Sequence, residues 1–165
     1  MKWQTLGSVR LVDRPWVGVR EDRVRFDNGL EQDITVVENR VGVHVLAVFQ
    51  QNIVLVDKVN YPGGQESSLE LPGGVANSNY LLTEALREFS EETSLEAGWC
   101  RPLITLHPGA FRLESPSHIF LATDIRAITD PHWKQDKDEN ELINRVVLVP
   151  LNEAVAMIGH EISDT

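Results

Sequence analysis

The chain has 165 residues, 42% of them hydrophobic, and sets 25 Asp and Glu against 15 Lys and Arg for a formal net charge of -10. That length and apolar share suit one folded domain with a sizeable core and exclude a disordered chain. The acidity excludes a nucleic-acid backbone or an anionic membrane as the main partner, since both recruit basic patches, while a small phosphorylated ligand stays compatible because a bound cation reverses the sign of a local site. The single cysteine, Cys100, excludes an intramolecular disulfide and reads as a small buried hydrophobe. MKWQTLGSVR has no apolar signal core, and no apolar run approaches the ~18 residues of a membrane span, so the cytoplasm is the expected compartment.

Before residue 70 the sequence predicts strands. Residues 9–39 alternate apolar and polar positions, with Asp27-Asn28-Gly29 as a positive-φ turn closing a hairpin. VGVHVLAVF (41–49) and NIVLVDKV (52–59) are β-branched runs of strand length around a Gln50-Gln51-Asn52 turn. YPGGQESSLELPGG (61–74) reads as loop around a short Ser-Leu-Glu-Leu segment. The period then changes: Leu82, Ala85 or Leu86, Phe89 and Thr93 recur at helical spacing, predicting an amphipathic helix near 80–94 whose other face carries acids. SHIFLATDI and INRVVLVPL read as later strands and residues 152–158 as a closing helix. Without repeats or a dividing linker, the reading is one α+β domain.

On that helix Glu84, Glu88 and Glu92 stack at intervals of four, with Glu91 three residues beyond Glu88. Like charges so placed destabilise an isolated helix. One reading is a solvated face with Arg87 bridging Glu84 and Glu91; the other is a site for Mg²⁺ or Mn²⁺, whose charge makes clustered carboxylates favourable. The preceding glycines would let backbone approach such a centre, since they lack Cβ.

Residues 73–95 resemble the Nudix box, G-x5-E-x7-R-E-U-x-E-E-x-G-U with U apolar. From Gly73, Arg87-Glu88 and Glu91-Glu92 fall on the charged pairs, Phe89 and Leu95 on apolar sites; Asn79 and Ser94 replace the first Glu and last Gly. Four charged residues at fixed spacing arise by chance about once in 10⁵ starts at ~6% usage each. The resemblance implies an α+β Nudix fold, a mixed β-sheet between helices in an α/β/α sandwich, here with an extra N-terminal antiparallel hairpin. It implies two or three Mg²⁺ or Mn²⁺ ions on Glu88, Glu92 and Glu91, the Gly73 carbonyl as a further ligand, and Arg87 fixing the glutamates.

Similarity to the ADP-ribose and nucleotide-sugar pyrophosphatase branch runs further along the chain, through ELPGG (70–74), HPGAFRLES (107–115), IFLATDI and the stretch from Lys137 to Thr165. It implies a loop general base at Glu139, with Glu141 as the alternative, whereas composition alone makes 137–141 a soluble loop. Where the branch shows R-Q-Y-R this chain has Asp57-Lys58-Val59-Asn60, leaving Lys58 as the cation there and Arg112, Arg40 or Arg145 as substitutes on phosphate. Glu114 falls on the branch's glutamate after S-P-G. The resemblance also implies a unit of residues 1–38 that dimerises through its strands and helps form a base pocket, ahead of a hydrolase domain at 39–165. Trp16, Phe26 and Trp3 are aromatics for stacking on a base, or ordinary packing. The implied partners are a nucleotide-diphosphate substrate and a second copy of the chain. ADP-ribose leads, with a GDP- or UDP-sugar, or a non-catalytic nucleotide-binding module, as alternatives.

Overall fold

The computed structural model describes residues 1–61, 64–109, 113–130 and 143–158, and the backbone of 162–164. Among them, no helix is long and apolar enough to cross a membrane. Two compact units form, one of residues 1–41 with 106–117 and one of 42–105 with 118–165.

The first unit begins with β1 (Trp3–Asp13), β2 (Val17–Phe26) and β3 (Glu31–Asn39), an antiparallel meander. The hairpin expected at Asp27–Gly29 joins β2 to β3: Gly29 N–H donates to Phe26 O at 3.0 Å, Phe26 N–H donates to Leu30 O at 2.9 Å, and Gly29 takes φ +83°. Glycine supplies that left-handed conformation without a Cβ penalty. β1 extends the hairpin by a further strand.

The second unit opens with β4 (Gly42–Phe49) and β5 (Asn52–Lys58). Gln50 and Gln51 between them have φ of 50° and 64°, the two left-handed residues of a turn whose twist matches the flanking strands. Asn52 Nδ2 braces it by donating to Gln50 O at 2.9 Å. The segment read as loop contains two short strands, β6 (Ser68–Glu70) and β7 (Gly73–Val75). Helix α1 (Leu81–Thr93) follows where the period predicts it. It stops at Ser94, which takes φ 61°, ψ 25° and donates its N–H to Ser90 O at 2.9 Å. Serine therefore does the work of a glycine C-cap.

β8 (Leu95–Leu106) is not foreseen by the periodicity, because Gly98 and Pro102 interrupt it. It lies at the end of the sheet order, where a proline need not donate to a neighbour. β9 (Leu113–Glu114) pairs parallel with β3 and completes a four-stranded sheet, β1-β2-β3-β9, in the first unit. β10 (Ser117–Ala127), β11 (Ile143–Pro150), α2 (Leu151–Met157) and β12 (Ile162–Asp164) complete the chain.

The large sheet runs β12-β6-β5-β4-β10-β8, with β11 also on β5 and β7 also on β4. Val43, Val45 and Ala47 alternate inward from β4 and meet Val54, Ala85 and Phe89 of α1, Phe120, Ala122 and Ile125, all buried. Fully burying a side chain such as Phe89 contributes about 1.5–3 kcal/mol. β4 meets β5 through Val48↔Ile53 at one end and β7 through His44↔Gly73 and Val43↔Gly74 at the other. That pairing holds the Gly73-Gly74 backbone against α1, which packs on β4 and β7. The architecture is the mixed α+β arrangement the sequence points to.

Candidate active site

The buried residues of α1 are Ala85, Glu88, Phe89, Glu92 and Thr93. Leu82, expected on the apolar face, is 38% exposed, and two of the acids expected on the solvated face lie inside. Buried carboxylates persist only with counter-charges and hydrogen bonds. Glu92, its side chain wholly shielded, accepts from Gly73 N–H at 2.7 Å and from Lys58 Nζ at 3.0 Å. Glu88 lies against Gly74, where a Cβ would fall 2.6 Å from its Oε2.

Arg87 joins the acids: Nη2 contacts Glu84 at 3.1 Å and also Glu88, and Nη1 contacts Glu91 at 2.5 Å. Burial works to lower the Arg87 pKa, but the Glu88 charge and hydrogen bonds to Glu84 and Glu88 outweigh it and raise it. The guanidinium is a fixed cation. The Ser78 hydroxyl, donating at 2.7 Å, is the largest influence holding Glu84 below the ordinary carboxylate range, opposed by desolvation and reinforced by Arg87. Glu84 is thus tied to the helix start, Glu88 and Glu92 are the buried pair, and Glu91 is half-buried beside them on Arg87.

Among the described residues no three His, Cys, Asp or Glu side chains converge as a metal-holding group. Glu92 is turned to Lys58 and the Gly73 amide, and Glu88 and Glu91 to Arg87. The donors nevertheless suit a hard dication: charged oxygens on successive helical turns, in a cradle that a Cβ on Gly74 would fill.

Successive residues of β5 face opposite sides. Lys58 reaches Glu92, while Asp57, paired with Arg145 in the β11 register, accepts from Arg145 Nε at 3.1 Å and from Asn144. Hydrogen bonding from Ser67 is the chief influence lowering the Asp57 pKa, against desolvation and together with Asn144 and Arg145. Asp57, Ser67 and Arg145 border a cavity of about 530 Å³ with Gln65, Glu66 and Ser68. The acid that replaces the resembled arginine is therefore a structural anchor for Arg145.

In the first unit, Phe26, Trp3, Ile34, Val36, Arg20 and Glu114 border a concavity of about 730 Å³. Glu114 accepts from Arg20 Nη1 at 2.8 Å, and this bond is the main reason the Arg20 pKa is raised. Trp16 is not among the lining residues; its ring lies 4.4 Å from the Arg40 guanidinium carbon. Arg112, Glu139 and Glu141 lie outside the described residues. The structure thus brings together Arg87, Glu88, Glu91, Glu92, Gly73 and Lys58, and separately Phe26 and Glu114. Sequence reasoning missed Arg20, whose only signal is alternation on β2, and the fit of Gly74 to Glu88.

The fold has a solved counterpart. The crystal structure of an ADP compounds hydrolase matches with a TM-score of 0.79, covering 95% of this chain and 83% of that chain at 20% identity. At that identity the likeness establishes the fold alone, the mixed α+β arrangement shared with that hydrolase. No family model matches the chain, and no curated protein is significantly similar to it.

Proposed function

We propose that the protein hydrolyses the diphosphate bond of a nucleoside diphosphate linked to another moiety, with ADP-ribose the favoured substrate and AMP and ribose 5-phosphate the products. The observation that carries this reading is the burial of Glu88 and Glu92 against the Gly73-Gly74 backbone. Two buried carboxylates on one helix face are costly unless the site uses their charge. The structural neighbour's description as an ADP compounds hydrolase supports the same substrate class.

Glu88, Glu91 and Glu92, with the Gly73 carbonyl, would hold two or three Mg²⁺ or Mn²⁺ ions. Such ions, when bound, neutralise diphosphate charge and acidify a water. Arg87 fixes the glutamates through its contacts with Glu84, Glu88 and Glu91. Lys58 supplies positive charge for a phosphate oxygen. Glu139, with Glu141 as the alternative, takes the proton from the attacking water. Phe26 and Trp3 line an aromatic concavity suited to a base.

The N-terminal strands form a homodimer in this reading, which accounts for Trp3, Val9, Leu11 and Trp16 all being more than half exposed on one chain. Light scattering tests it, and a mass near one 18.6 kDa chain would refute it. A GDP- or UDP-sugar is the second reading, favoured by Asp57, which is turned to Arg145 where the resembled branch places a phosphate-binding arginine. Product chromatography over a panel of nucleoside diphosphate conjugates with Mg²⁺ or Mn²⁺ tests the proposal. ADP-ribose should be cleaved fastest; metal-supplemented protein that cleaves no member of the panel would overturn it.

A further inference from the structure

Lys58 is the last residue of β5, and its side chain is one-quarter exposed while that of Glu92 is wholly shielded. Its Nζ lies 3.0 Å from Glu92 Oε1, while the Gly73 amide donates to Oε2 at 2.7 Å. The two oxygens thus differ in kind. Oε2 is tied to the backbone of β7, which pairing with β4 holds in place. Oε1 is tied to a flexible four-carbon stem with a route to solvent, and a lysine ammonium is a compact charge able to leave along it.

A shielded carboxylate requires a counter-charge, and Lys58 is one on the page. A dication at Oε1 would sit within a few ångströms of that ammonium, and like charges at such separation repel strongly where water is scarce. Ion and ammonium therefore compete for one oxygen. We propose that Lys58 is a built-in competitor for divalent metal at Glu92: it neutralises the carboxylate when no ion is bound, must leave for the ion to enter, and so sets the ion affinity of the site. The inference rests on the metal-dependent reading above and adds a residue that lowers affinity rather than providing a ligand. Arg87 is placed differently, since it contacts Glu84, Glu88 and Glu91 along the helix and can keep Glu84 while releasing the others.

The test is Mn²⁺ binding to the full-length protein without substrate, read from loss of the free-ion paramagnetic resonance signal, for wild type, Lys58→Gln and Lys58→Arg. Glutamine keeps a donor for Oε1 but no charge. Lys58→Gln should bind Mn²⁺ about tenfold tighter, because the entering ion no longer has to displace a cation from Oε1. Lys58→Arg should bind no tighter than wild type. Equal or weaker binding by folded Lys58→Gln, with wild type binding Mn²⁺, overturns the competitor and leaves the metal reading standing. Failure of every protein to bind Mn²⁺ overturns both. A measurement on wild type alone covers a variant that does not fold: amine-labelling of Lys58, mapped by mass spectrometry, should rise when Mg²⁺ is added. Unchanged labelling at a Mg²⁺ concentration that saturates the protein would overturn the exchange.

Discussion

Gly73 and Gly74 are adjacent in β7, yet alanine at each should fail in different ways. A Cβ on Gly74 would lie 2.6 Å from Glu88 Oε2 and 2.7 Å from its Cδ, the far end of a flexible side chain. To regain the 3.4 Å of ordinary contact that carboxylate must retreat by about 0.8 Å, which a rotamer adjustment costing roughly 0.5–1.5 kcal/mol provides. Alanine in a strand recovers roughly 0.5–1 kcal/mol over glycine, so Gly74→Ala should melt within a few degrees of wild type. Its turnover should nevertheless fall about 10²-fold, the usual consequence of a ~1 Å misplacement at a reacting centre. A Cβ on Gly73 instead meets the Val43 carbonyl and lies 2.7 Å from His44 Cα, both backbone of β4. Backbone in a paired strand cannot rotate away, so overpacking should cost roughly 1–3 kcal/mol, lowering Tm by about 2–4 °C per kcal/mol for a chain of this size. Thermal melts and turnover on the best panel substrate measure both variants. Wild-type turnover by Gly74→Ala would refute the role given to Glu88.

Ser94→Gly should raise stability by about 1 kcal/mol, because Ser94 holds a left-handed conformation that costs a side chain roughly that much; a lower melting temperature would contradict it. Asp57 has its folded pKa below the ordinary 3.8, chiefly through Ser67. Its contribution is therefore present above the unfolded value and lost as pH falls through the folded one. Asp57→Asn should lower stability at neutral pH and flatten the loss below about pH 4, and an unchanged acid limb would refute this. Glu139→Gln should reduce kcat by roughly 10² to 10⁴ with KM little changed. If Glu141→Gln shows that loss instead, the base lies two residues further on.

Local signals carried the elements that local chemistry fixes. The Asp27–Gly29 turn, the β4 and β5 runs and α1 were legible because turn residues and periods of 2 and 3.6 act over a few positions. β8 was not, since Gly98 and Pro102 hide an edge strand whose existence depends on β10 beside it. The parallel pairing of β3 with the two residues of β9 joins positions more than 70 apart and leaves no local trace. At the site, spacing gave the order of the acids along α1 but not their depth. Glu88 and Glu92 are buried because β7 and Lys58 come from elsewhere in the chain to receive them.

Whether the buried glutamates of α1 serve metal-dependent diphosphate cleavage is decided by Glu92→Gln assayed with ADP-ribose and Mg²⁺. Glutamine keeps the volume and an acceptor for the Gly73 amide, so a folded protein is expected, verified by its circular dichroism and melting curve. Wild type should release AMP and ribose 5-phosphate, and Glu92→Gln should lose most of that turnover at every Mg²⁺ concentration tried. A folded Glu92→Gln protein that cleaves ADP-ribose at the wild-type rate would contradict the account.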